Sequence, residues 1–348
     1  MTTSRIVVFR LSSFGDVVLA TAALAPVKRK FPKSHVIFVT SKNFAPLVHG
    51  HPSVDEVIGF ERSEGVKGWL RLLETLWASG VDHVFDLHNS TRTKIGRLYF
   101  AWKSIVSARK YSWVSVSKQR IRHFFYYIFK RILPQLLRPE PWSKRFVNCV
   151  DPSLDCADLD LSYLLVQSGI SSHRTQENLK GISENYLCVM PSSRWTTKEW
   201  ELEKWVQLLE SLQGDVVVLG QGSDKTSQYL YQRLKDSFGS GRQVFFYPKG
   251  LDFSEWAKIL KSSQMFLGVD TGFFHLAEGL GVKSLVVFGP TESGLGYGPR
   301  LPSTQVAERK LFCRPCSKTG QICFRFWEPR ACLKQLEVED VGKLLRHF

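Results

Sequence analysis

The chain has 348 residues, a formal net charge of +15, and 43% hydrophobic against 23% charged side chains. That length buries a sizeable core and favours two domains over one, and the composition is that of an ordinary globular protein, which excludes fibrous and disordered classes. No apolar run is long enough to span a bilayer and the opening run is too short for a secretory signal, so the expectation is a cytoplasmic chain.

Arg5 to Leu11 reads as a first strand, and the turn after it, Arg10-Leu11-Ser12-Ser13-Phe14-Gly15-Asp16, opens a helix expected to run from Asp16 to Lys30. A dinucleotide fold would place G-x-G-x-x-G here; only Gly15 is present, so an NAD-dependent oxidoreductase loses its main support. Asp16 stands at a helix entrance, where it either caps free N–H groups or, at a strand end facing a cleft, removes a proton from a substrate hydroxyl. Strand His35 to Thr40, helix Gly65 to Ser79 and strand His83 to Leu87 continue the alternation of a parallel sheet.

Between Asp86 and Glu140 there is no acidic residue, while Arg92, Lys118, Arg120 and Arg122 are among many bases interleaved with aromatics such as Trp102, Phe124, Phe125 and Phe129. The mixture suits an anionic interface of lipid phosphate, acidic glycolipid or nucleic acid; the alternative is a solvated face over core aromatics. From Ser168 to Glu184 periodicity fades, as in a linker.

The alternation then restarts: strand Tyr186 to Met190, helix Glu199 to Leu212, strand Asp215 to Leu219, helix Asp224 to Phe238, strand Gln243 to Tyr247, helix Ser254 to Lys261, strand Met265 to Val269, helix Phe273 to Leu280, strand Ser284 to Phe288. Ser192, Ser193, Arg194 and Lys198 follow the first of these strands, hydroxyls and cations that can neutralise a departing diphosphate without a metal. The loop with Gly222 is a further glycine-rich βα turn. Asp270-Thr271-Gly272 delivers a helix N-terminus, with free N–H groups and a positive dipole end for a phosphate, and His275 lies one turn on. Val338 to Phe348 reads as a closing amphipathic helix, acidic early and basic late.

Arg10 to Leu24, Asp86-Leu87-His88 with Arg92-Thr93, Pro191-Ser192-Ser193 through Trp200, Asp270-Thr271-Gly272 with His275, and Phe288-Gly289-Pro290-Thr291 together resemble glycosyltransferase family 9, the bacterial heptosyltransferases of lipopolysaccharide core synthesis. The resemblance covers nearly the whole chain. It implies a GT-B fold, two Rossmann-like α/β domains with parallel sheets facing a central cleft: an acceptor domain over 1–168, a linker over 169–184, a nucleotide-sugar domain over 185–335 and a closing helix over 336–348. It also implies transfer of heptose from ADP-heptose to the inner core with inversion, needing no cofactor. Asp16 would be the general base. Ser192, Ser193, Arg194, Lys198, Gly222, Asp270, Thr271 and Gly272 would hold the donor, supported by His275. The acceptor, an acidic glycolipid, would meet Ser13, Gly15, His88 and Arg92; the basic aromatic stretch, which matches no motif of the family, adds Lys118, Arg120 and Arg122 as expected contacts to the anionic acceptor or membrane, with the chain peripheral on the inner face of the inner membrane.

Cys313, Cys316, Cys323 and Cys332 form a cluster whose four thiolates would satisfy a structural tetrahedral zinc, against reduced, unligated cysteines. Cys149, Cys156 and Cys188 read as structural. Two alternatives stand beside the main reading: a relative using another nucleotide sugar, and a nucleic-acid-binding protein with a zinc loop. The second leaves Asp16, Lys198 and Asp270 without a role, so nucleic acid is not an expected partner.

Overall fold

The computed structural model describes residues 3–129, 132, 134–154, 159–166, 181–183, 185–220, 224–239, 241–247 and 252–346. The chain forms two compact units, Met1–Ile121 with Glu140–Leu164, and Arg122–Pro139 with Leu165–Phe348. Arg122–Pro139 thus groups with the second unit rather than with the run 1–168, because the Tyr126 hydroxyl on this excursion bonds Glu292. Of the expected linker only 181–183 lies among the described residues.

The first unit holds a five-stranded parallel sheet, β1 (Arg5–Phe9), β2 (His35–Ser41), β3 (Glu56–Phe60), β4 (Val81–Asp86) and β5 (Ser112–Ser115), in the order β3-β2-β1-β4-β5. Central β1 is covered on both faces, which is why it reads as the uninterrupted run Ile6 to Phe9. The helix expected over Asp16 to Lys30 is two, α1 (Phe14–Thr21) and α2 (Leu24–Lys30). Pro26 explains the break: its ring conflicts with the Ala22 carbonyl four residues back and it has no N–H to donate. Helices α3 (Gly65–Ala78) and α4 (Thr91–Ser107) pack Trp69, Trp77 and Phe100 against Phe9 and Trp113. Part of the aromatic run is therefore ordinary core. Helices α5 (Arg120–Phe129) and α6 (Pro134–Leu137) follow, then α7 (Trp142–Val150) and α8 (Tyr163–Val166).

The second unit holds a six-stranded parallel sheet, β6 (Tyr186–Met190), β7 (Asp215–Leu219), β8 (Val244–Tyr247), β9 (Met265–Val269), β10 (Ser284–Phe288) and β11 (Thr304–Glu308), in the order β11-β10-β9-β6-β7-β8. Its helices are α9 (Leu202–Glu210), α10 (Lys225–Phe238), α11 (Phe253–Lys261), α12 (Gly272–Gly279), α13 (Ala331–Lys334) and α14 (Val338–Leu345). Helix α9 starts three residues later than its periodicity predicts. Buried Trp200 donates its indole N–H to the Leu336 carbonyl at 3.0 Å, and Glu199 accepts from Ser193 N at 3.0 Å, so both are held out of the helix. Helix α14 closes the core by burying Val341 beside Leu333 and Leu336.

In both sheets the chain fills one side of a central strand and then the other, so the topological switch points lie between β1 and β4 and between β6 and β9. Open parallel sheets place ligands at the carboxyl ends of the strands flanking such a point. Here those ends are Phe9-Arg10 with Asp86-Leu87-His88, and Met190-Pro191-Ser192 with Val269-Asp270-Thr271. No helix among the described residues is long and apolar enough to cross a membrane.

Candidate active site

In the first unit, Asp16 sits in the opening turn of α1. Its Oδ2 accepts from Ser13 N at 3.1 Å and Ser13 Oγ at 2.8 Å, and pairs with Arg10 Nη2 at 2.7 Å. The cap and the ion pair coexist. Burial pushes the Asp16 carboxyl up, but the Arg10 guanidinium and both Ser13 bonds outweigh it and hold the group below the usual carboxylate value. Arg10 is itself buried and donates across the switch point to the Leu87 carbonyl at 2.6 Å. The one sign of Arg10's role in the sequence is a charged residue closing an apolar strand.

His88 follows at the end of β4. Burial, and then nearby Arg10, push its imidazole down to about 3, so it is neutral. Its Nδ1 is buried without a hydrogen-bond partner. Asp86, buried beneath, accepts from His88 N at 3.0 Å and Asn89 N at 2.7 Å, shaping the turn. Lys118 lies in the same field, its ammonium pushed down by burial and then by Arg120 and Arg10. Ser13, Asp16, His88 and Lys118 are thus brought together around Arg10. Gly15, also expected on the acceptor side, lies in the first turn of α1. Arg92 lies over the Phe60 ring, 5.8 Å from its centroid; Arg120 is exposed; Arg122 donates to the Leu136 carbonyl inside the second unit.

In the second unit, Lys198 Nζ pairs with Asp270 Oδ2 at 2.7 Å, and Thr291 Oγ1 donates to that oxygen at 2.7 Å. Burial raises the Asp270 carboxyl, yet Lys198 and these bonds, with His275 adding a smaller share, leave it below the ordinary value. Thr271 occupies the N-cap of α12 with no side-chain cap bond, and its hydroxyl is buried without a partner. A cation, an unspent hydroxyl and a helix N-terminus in one place fit a phosphate.

Ser192 donates its hydroxyl to Asp224, while Ser193 Oγ accepts from Trp195 N at 3.4 Å. Arg194 is exposed over Trp195, and Gly222 lies outside the described residues. Sequence reasoning missed the brace behind this set. Arg314, buried, donates to the carbonyls of Gly289, Phe288 and Thr291 and pairs with Glu308 at 2.8 Å, and Cys316 N donates to Pro290 O at 2.8 Å. At Gly320, φ is +74° and an added Cβ would lie 2.8 Å from Lys198 Cε. The cysteine-rich loop therefore backs the donor-side loop and Lys198.

Burial pushes the Cys316 and Cys332 thiols each up to about 11. Among the described residues no three His, Cys, Asp or Glu side chains are grouped so as to hold an ion.

Two doubly wound parallel sheets, each with polar residues at the strand carboxyl ends flanking its switch point, define a GT-B fold. Residues 140–323 match the family described as glycosyltransferase family 9 (heptosyltransferase), and the chain belongs to that family. It is 25% identical over 330 residues to lipopolysaccharide heptosyltransferase 1 of Pseudomonas aeruginosa, covering 90% of this chain and 86% of that one. Its fold is similar to that of the glycosyl transferase family 9 from Veillonella parvula DSM 2008 (TM-score 0.73, 18% identity, 100% of this chain and 98% of that one). The E. coli heptosyltransferase WaaC with ADP-2-deoxy-2-fluoro heptose is also similar (TM-score 0.66, 18% identity, 99% of each chain).

Proposed function

We propose that this glycosyltransferase moves heptose from ADP-heptose to the inner core of lipopolysaccharide, by a single inverting displacement that needs no metal. The observation that carries the reading is the set at the start of α12: the Lys198 ammonium beside Asp270, with the buried and unspent Thr271 hydroxyl. This is a place for the charge of a departing diphosphate. Family membership and the nucleotide-sugar analogue named with WaaC support the choice of donor.

In this reading Asp16 takes the proton of the acceptor hydroxyl as its oxygen bonds the anomeric carbon, and the bond from that carbon to the diphosphate breaks with its electrons going to ADP. Attack opposite the leaving group inverts the centre. The transition state is oxocarbenium-like, so it needs a base on one face and charge stabilisation on the other. A carboxylate held ionised by Arg10 supplies the first; Lys198, Thr271 and the N-terminus of α12 supply the second. His88 and Lys118, beside Arg10, contact an acidic acceptor. Because that acceptor is a glycolipid, the chain works at the anionic inner face of the inner membrane.

The test is incubation with ADP-heptose and defined truncated core acceptors, with products read by mass. A heptose-sized gain is expected, lost in Asp16→Asn while ADP affinity stays within about twofold, since the base is not a donor ligand. Full transfer by Asp16→Asn removes the proposed base. A gain only with a different nucleotide sugar removes heptose.

A further inference from the structure

Helix α5 presents two unlike faces. One is packed: His123 and Tyr126 are buried, and Tyr126 bonds Glu292. On the opposite side Ile121, Phe124, Phe125, Ile128 and Phe129, with Ile132 just beyond, recur every three or four residues and are 41 to 74% exposed. An apolar stripe at this spacing normally faces a core. Here it faces outward, with Arg120 on one flank and Arg122 on the other by the roughly 100° turn per residue.

We propose that this outward face is the element by which the chain docks on an anionic lipid bilayer, lying in the headgroup plane with its aromatic and aliphatic side chains inserted. An apolar stripe with cationic flanks is what an interfacial helix needs: the centre enters the acyl boundary and the guanidinium groups meet lipid phosphates. Charge complementarity selects this occupant. With no acidic residue between Asp86 and Glu140, a second copy laid on the stripe in either direction would set base against base. Nucleic acid would require cations along the centre of the face rather than Phe and Ile. The proposal rests on the glycolipid-acceptor reading only for why a membrane matters.

Co-sedimentation of the full chain with vesicles of phosphatidylcholine plus phosphatidylglycerol, against phosphatidylcholine alone, tests it. Binding to the anionic vesicles is expected, and the triple variant Phe124→Ser, Phe125→Ser, Ile128→Ser should bind at least about tenfold more weakly with an unchanged melting profile. Arg120→Glu should weaken binding and flatten its salt dependence. Helix α4 carries a comparable stripe in Leu98, Trp102 and Ile105, which makes it the control. If serines there abolish binding while the α5 variant binds normally, the assignment to α5 is overturned. So it is if the parent ignores anionic vesicles, or is a dimer that the α5 variant splits. Transfer to a water-soluble, delipidated core acceptor should be the same in parent and α5 variant. If the parent binds vesicles but transfers no heptose, the functional reading fails and the docking stands.

Discussion

At the residue scale, the first unit turns on the pair Arg10–Asp16. Burial favours a neutral carboxyl and the guanidinium 2.7 Å away favours the carboxylate, with the second prevailing. Because the folded value is depressed, the base stays ionised as pH falls through the ordinary carboxylate range, and transfer should be lost only below it. Arg10→Gln removes the cation but keeps the burial, so the acid limb of the kcat/KM profile should move up in pH; a limb that stays put would mean that Arg10 does not set the base. In the second unit, Lys198→Ala removes a charge-assisted contact to the leaving group, and the donor KM should rise on the order of tenfold to a hundredfold. Gly320→Ala should act on the same lysine. A Cβ at positive φ that meets Lys198 Cε costs about 1–3 kcal/mol, and titration calorimetry should find weaker ADP binding with the acceptor side untouched.

At the scale of elements, loops rather than strands needed bracing. The strand ends at Asp270 and Phe288 present Thr271 and Thr291, but Gly289 to Thr291 keeps its path because Arg314 gathers its carbonyls and Glu308 neutralises the guanidinium. Arg314→Ala would leave those carbonyls and Glu308 uncompensated. We expect the second unit to lose about 3 kcal/mol in denaturant unfolding, and donor binding to weaken with it. Elements with strong buried runs, such as β6, β7, β9 and β10, follow the periodicity of the sequence residue for residue. The strands β3, β5 and β11 do not stand out from it, because they are sheet edges and only partly covered.

At the scale of the molecule, each unit has its own sheet and its own core, so each should respond to its own ligand. ADP at a hundred times its Kd should stabilise the second unit by about 2.7 kcal/mol and leave the first unchanged. Hydrogen exchange should show the protection around residues 190–200 and 268–292, and Lys198→Ala should lose it. Equal protection near Asp16 would contradict this division of labour. The basic aromatic run also divides at this scale: Phe100, Trp113 and Tyr126 are packed, while Trp102, Phe124 and Phe129 stay outside.

Sequence alone determined the parallel-sheet alternation, the family, and the positions of Asp16, Lys198 and Asp270, because a buried strand must be an apolar run and a βα turn must put its polar residues at the strand end. Tertiary structure decided what those residues touch. Ser192 turned to Asp224, Arg122 to Leu136, and Arg314, 44 residues beyond Asp270, became the brace of its loop. Periodicity records which side of an element is buried; it carries no information about which distant side chain is buried against it.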